Sequence, residues 1–280
     1  MRRIVTGVVV ALMAVVALMA PASAQGSDTS GYWMVDGSGT VYAFGGARHY
    51  GNVPPELAAP VDIEPTPSGN GYWVLQSWGL VSSHGDARFL GEPEVNLPGD
   101  AAISITATPS GNGYWVFTTA GCVHAYGDAQ DFGSMCGRRL NAPIVGSEAT
   151  PSGRGYYLVG ADGGIFSFGD ARFLGSTGAM RLNRPVFDMA ITPSGRGYWL
   201  VATDGGIFSF GDARFYGSMG GTRLNGPVVG LVGSPSGRGY LMVAEDGGVF
   251  TFGDVPFHGS LGGNPPAWPV VAAAVRSPDR

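Results

Sequence analysis

The chain has 280 residues, 44% apolar and 11% aromatic but only 13% charged, with 48 Gly, 20 Pro and a formal net charge of −5. That much Gly and Pro suits a disordered chain, yet disordered segments are poor in large apolar side chains, so many short strands joined by tight turns are expected. All 16 basic residues are Arg, which excludes lysine-dependent phosphate loops and Schiff-base chemistry, and the acidity argues against nucleic acid as a partner because such binders need a basic face.

Residues 1–24 read as a secretory signal. Arg2 and Arg3 form the charged start, Ile4 to Ala20 is apolar, Pro21 breaks the run, and Ala22-Ser23-Ala24 is a small-x-small cleavage site. A retained anchor is the alternative, since about 17 apolar residues reach the lower limit for spanning a bilayer. No Cys lies near residue 24, so lipoprotein acylation is not expected. Cleavage leaves 14 Arg against 21 acidic residues, a net charge of −7. The mature chain is then secreted or cell-wall associated, free of the membrane, and folds under oxidising conditions. Residues 25–30 read as a short linker.

From Gly31 onward the sequence repeats. Gly-Tyr pairs begin at Gly31, Gly71, Gly113, Gly155, Gly197 and Gly239, defining repeats 31–70, 71–112, 113–154, 155–196, 197–238 and 239–280. Copies four and five agree at 28 of 42 positions, so the period reflects duplication, and periods near 40 mark propellers or solenoids. In copy five, Gly197–Val201 reads as a strand, Asp204-Gly205 as a hairpin turn and Ile207–Phe210 as a second strand. Gly211-Asp212-Ala213 then turns into a third strand, Arg214–Ser218. After a Gly-rich connection Pro227–Gly233 forms a fourth, and no stretch carries a helical period.

Four short antiparallel strands per unit predict an all-β, six-bladed β-propeller over residues 31–280. If the strand beginning at Pro227 is innermost, its last counterpart, Pro269–Val275, has no following copy. It is expected to pair with the first copy and close the ring, whereas a solenoid would need polar caps.

The string G-Y-W-L-V-A-T-D-G-G-I-F-S-F-G-D-A-R-F-Y-G-S at 197–218 resembles repeats of secreted proteins from high-GC Gram-positive (actinobacterial) bacteria, found alone or beside cell-wall-directed domains. The resemblance covers residues 31–280 and is tightest in copies four to six; the blade order resembles NHL-type propellers. It implies an exported propeller scaffold and no particular activity, because function resides in sites and not in folds.

Each His replaces an aromatic packing residue of copy five: His84 at the place of Phe210, His124 at Phe208, His49 at Phe215 and His258 at Tyr216. They read as packing substitutions and not ligands, and the common hydrolase and metalloenzyme strings are missing. Cys122 and Cys136 flank the turn 127–130 and are expected to form a disulfide staple. The Asp of each G-D-A turn (Asp86, Asp128, Asp170, Asp212, Asp254) reads as an acceptor of backbone bonds within its turn.

The innermost strands carry the most distinctive polar groups. Asp62 and Asp188 fall three copies apart at one level, and Glu64 and Glu148 lie two residues further along. They are channel-lining candidates, either solvated or holding a divalent cation or polar ligand; no other cofactor is implied. Trp78, in place of a turn residue, and Trp268 are candidate surface aromatics.

These features fit a binding module for a cell-envelope glycan, protein or small ligand, and a monomer is expected. One alternative is a propeller hydrolase or lyase with dispersed carboxylates; another is a purely structural envelope protein.

Overall fold

A computed structural model describes residues 30–54, 58–95 and 98–276; the signal 1–24 and nearly all of the linker lie outside the described residues. In chain order the strands are β1 (Gly31–Asp36), β2 (Val41–Gly45), β3 (Pro60–Pro65), β4 (Gly71–Gln76), β5 (Val81–Gly85), β6 (Ala102–Ala107), β7 (Gly113–Thr118), β8 (Val123–Gly127) and β9 (Ile144–Ala149). They continue as β10 (Gly155–Gly160), β11 (Ile165–Gly169), β12 (Val186–Ile191), β13 (Gly197–Ala202), β14 (Ile207–Gly211), β15 (Val228–Gly233), β16 (Gly239–Ala244), β17 (Val249–Gly253) and β18 (Val270–Arg276). The described residues contain no helix. The strands form six three-stranded antiparallel sheets: β18-β1-β2, β3-β4-β5, β6-β7-β8, β9-β10-β11, β12-β13-β14 and β15-β16-β17. The last strand therefore completes the first sheet, with Gly31 opposite Arg276.

The middle strands organise the packing. All six residues of each one are buried, because alternate side chains face two different neighbouring sheets. Tyr72 and Val74 pack on Trp33 and Val35, while Trp73 and Leu75 pack on Tyr114 and Val116. The same exchange proceeds from sheet to sheet until Leu241 and Val243 of β16 meet Tyr32 and Met34 of β1. The first strands of the sheets (β3, β6, β9, β12, β15 and β18, here the inner strands) also touch in succession, and β18 touches β3.

Two sets of hydrogen bonds repeat this connection. The hydroxyl of Tyr240 donates to Gly217 O at 2.5 Å and accepts from Tyr216 N–H at 3.1 Å, tying one copy's sheet to the preceding copy's loop. Tyr32 does the same between the first and last copies, donating to Gly259 O at 2.5 Å and accepting from His258 N–H at 3.1 Å. At the opposite end of the sheets runs a belt of backbone bonds. Val228 N–H donates to Thr203 O, Thr203 N–H to Pro185 O and Val186 N–H to Ala161 O, and the pattern recurs in the other copies. The equivalent donor is missing at Pro60, because proline has no N–H.

The strand expected at Arg214–Ser218 is not formed, and each unit has three ladder strands where four were expected. Side chains have taken the backbone groups that a ladder would use. Trp199 Nε1 donates to Arg214 O at 2.7 Å, and Tyr240 engages the next peptides as above. Gly217, at φ 138°, lies against the Phe252 ring, where a Cβ would collide. This segment fills the gap between sheets instead of extending one.

Candidate functional site

Every inner strand shifts register against its middle strand at the same place, for example between Pro60 and Asp62 and between Val186 and Asp188. A bulge re-aims the residue that follows it, so both aspartates emerge from an irregular point. Asp62 Oδ1 accepts its neighbour's N–H from Ile63 at 2.8 Å, and Oδ2 reaches across to Ile105 N–H of β6 at 2.9 Å. Asp188 repeats this with Met189 N–H at 2.8 Å and Leu231 N–H of β15 at 2.9 Å. Glu64 Oε1 takes Ala107 N–H at 3.0 Å. Between β6 and β9 hydroxyls serve instead, with Ser147 Oγ donating to Ser104 Oγ at 2.8 Å. Glu148 stands on β9 opposite Tyr157. No ladder joins neighbouring inner strands, so these side chains supply polar links between β3 and β6, β6 and β9, and β12 and β15.

Burial pushes the Asp62 carboxyl up to about 6, against the lowering effect of its bonds to Ile105 and Ile63. Burial likewise raises Asp188, to about 7, and the negative charge of Asp62 adds to the rise. The two expected candidates are thus brought within electrostatic reach of each other. Among the described residues no group of three or more His, Cys, Asp or Glu could hold a metal ion. The chemistry of the pair is that of backbone-bonded carboxyls that take up a proton near neutrality.

The G-D-A aspartates act differently from expectation. Asp212 Oδ1 accepts the Thr192 hydroxyl at 2.9 Å and Oδ2 the Ser194 hydroxyl at 2.7 Å, rather than backbone groups of its own turn. The same pairing ties Thr66 and Ser68 to Asp86, Thr108 and Ser110 to Asp128, and Thr150 and Ser152 to Asp170. The first sheet, where Gly46 replaces the Asp, has Arg276 at the Thr position, and its Nε donates to Gly69 O at 3.0 Å. Both partners changed together, although they stand at opposite ends of the chain.

His84 and His258 keep aromatic packing positions, but His49 does not: it is exposed, as is its counterpart Phe215, so that place in the repeat is surface. The His84 ring lies 5.2 Å from Tyr72, as Phe210 lies 5.5 Å from Tyr198. Burial, with the nearby charge of His49, lowers the His84 pKa. His258 Nε2 is 2.9 Å from Ser30 Oγ where the first and last copies meet.

Cys122 and Cys136 form a disulfide, as expected, though not through a strand pair. Met135 N–H donates to Gly121 O at 2.9 Å and carries the next residue alongside Cys122. Replacing both by Ala is expected to lower the unfolding free energy by about 3 kcal/mol, from loop closure in the unfolded chain. Urea unfolding with and without reductant checks this: an unchanged midpoint in the double variant would show that the bond is dispensable. The bond suits an oxidising compartment, and no helix among the described residues is long and apolar enough to cross a membrane.

The two tryptophans share one end of the molecule, where middle strands finish and inner strands begin. Trp78 occupies the β4–β5 turn and is 72% exposed; Trp268 precedes β18 and is 59% exposed. Trp268 lies beside Gly37 of the β1–β2 turn, on the sheet next to that of Trp78. At this same end sequence reasoning passed over a recurring Arg-Leu-Asn, whose only signal was its return in three copies.

No protein-family model matches the chain, and no curated protein matches it.

Proposed function

We propose that the chain is a six-bladed β-propeller that serves as an exported binding module for a cell-envelope glycan. The ring is supported by the successive contacts of the inner strands, the Tyr32 bonds between the first and last copies and the belt of backbone bonds. Blades of three ladder strands, each completed by the loop after its outer strand, fit that architecture. The observation that carries the binding reading is the pair of exposed tryptophans on adjacent sheets at one end. An indole held on a rigid turn offers a flat apolar face at small entropic cost, which suits stacking against a sugar ring. The inner carboxylates, bonded to backbone N–H groups, are given to architecture.

Trp78→Ala with Trp268→Ala is expected to reduce retention on purified cell-wall polysaccharide at least about tenfold. The melting temperature should stay unchanged, since both side chains are exposed. Retention equal to that of the parent protein would remove the tryptophan face from consideration.

A further inference from the structure

Arg139-Leu140-Asn141, Arg181-Leu182-Asn183 and Arg223-Leu224-Asn225 occupy one position in three consecutive copies, just before β9, β12 and β15. Each leucine packs against a core cluster between sheets. Anchoring the middle residue turns its neighbours outward, and all three arginines and all three asparagines are exposed. Arg138 and Arg184, also exposed, flank them.

None of these arginines is in an ion pair among the described residues. Among the described residues the ion pairs are Arg154–Asp170, Arg196–Asp212 and Arg238–Asp254, at 3.6, 3.5 and 3.2 Å. All three lie at the other end of the sheets, where the G-D-A turns are. The carboxylates beside the arc are Asp162, Asp204, Asp246 and Glu245, the last two packed against Gly226. Each aspartate spends Oδ1 on its own turn, accepting Gly164, Gly206 and Gly248 N–H, and the arc's five exposed arginines stand against these four acids. In a chain of net charge −5, guanidinium groups with no carboxylate partner, repeated on adjacent sheets, form a local basic arc against an acidic background. A guanidinium fork beside an amide is suited to carboxylate or phosphate oxygens. Regular recurrence matches a polymer whose charges also recur, so that weak contacts add through effective concentration.

We propose that this arc binds an acidic polysaccharide, a glycan chain carrying carboxylate or phosphate groups along its length. The proposal rests on the glycan reading above and assigns it a ligand chemistry and a second surface at the tryptophan end. Because the attraction is between exposed opposite charges, which salt screens, binding should weaken as ionic strength rises.

The test measures binding of the mature protein to polygalacturonate, phosphomannan, neutral dextran and duplex DNA. The parent protein should bind at least one of the two acidic polysaccharides and leave dextran unbound; which one it prefers separates carboxylate from phosphate as the recognised group. Arg139→Ser/Arg181→Ser/Arg223→Ser should weaken that binding at least about tenfold, and Arg154→Ser/Arg196→Ser/Arg238→Ser, an equal loss of charge at the other end, less than about twofold. Equal losses in the two variants, or DNA bound as tightly as the polysaccharides, would overturn the proposal. So would failure to bind either acidic polymer. If the arc variant still binds cell-wall polysaccharide fully while the tryptophan variant does not, the arc falls and the glycan reading stands; if the parent protein binds no wall polysaccharide, the glycan reading falls.

Discussion

Ending the chain after Pro269 is expected to abolish cooperative folding. The deletion removes β18, whose Val270 is fully buried and whose Ala272 and Ala274 belong to the cluster shared with Trp33 and Ile63. It also strips the ladder from one edge of β1, leaving six buried residues, Gly31–Asp36, at an open margin. In a linear repeat array the loss of one terminal strand would cost only a nearest-neighbour interface. Here β18 touches β15 and β3 as well as β1, so its loss opens two sheet–sheet junctions together. That is expected to exceed much of the roughly 5–15 kcal/mol by which a domain is stable. Circular dichroism melts of residues 25–280 and 25–269 check it; a truncated chain that melts in one sharp transition near the temperature of the longer one would exclude the closed architecture.

Stability should fall as pH rises from about 4 to about 7. The ordinary carboxyl value for Asp62 and Asp188 is 3.8, and burial raises them in the fold to about 6 and about 7. Between those values the folded chain holds protons that the unfolded chain has released, so the stability gained on protonation is complete in acid and is lost as pH climbs through the folded values. Asp212 acts with the opposite sign. Its bond from Ser194, helped by Thr192 and Arg196, outweighs burial and holds it below the ordinary range. That contribution is present above about pH 4 and is lost below it. The unfolding midpoint is therefore expected to peak in mild acid. Urea titrations at closely spaced pH values would locate the peak, and Asp62→Asn with Asp188→Asn should flatten the slope between pH 4 and 7. A slope unchanged in that double variant would show that other groups cause it.

Much of the architecture was legible in the sequence. Gly-Tyr pairs at a constant interval mark the repeat, and runs such as Gly-Tyr-Trp-Leu-Val are apolar on both faces because a middle strand lies between two sheets. The phase of the repeat left one unpaired strand at the end of the chain, which β18 turned out to be, and the spacing of Cys122 and Cys136 forecast their bond. These are local periodicities or simple recurrences, visible without knowing which distant residues touch.

The rest depended on contacts between segments about 20 or 43 residues apart. The segment Arg214–Ser218 carries strand-like residues, but the Trp199 indole and the Tyr240 hydroxyl satisfy its backbone before another strand can. Asp212 looked like a turn acceptor until the packing set Thr192 and Ser194 beside it. The spacing of Asp62 and Asp188 marked them as candidates to line a channel; that they also accept backbone N–H groups of the neighbouring β6 and β15 was set by the bulge and the approach of those strands. Periodicity determined which residues would be buried and which strands would form; the tertiary structure alone decided where each polar group would find its partner, because a hydrogen bond depends on a separation of about 3 Å that no repeat interval encodes.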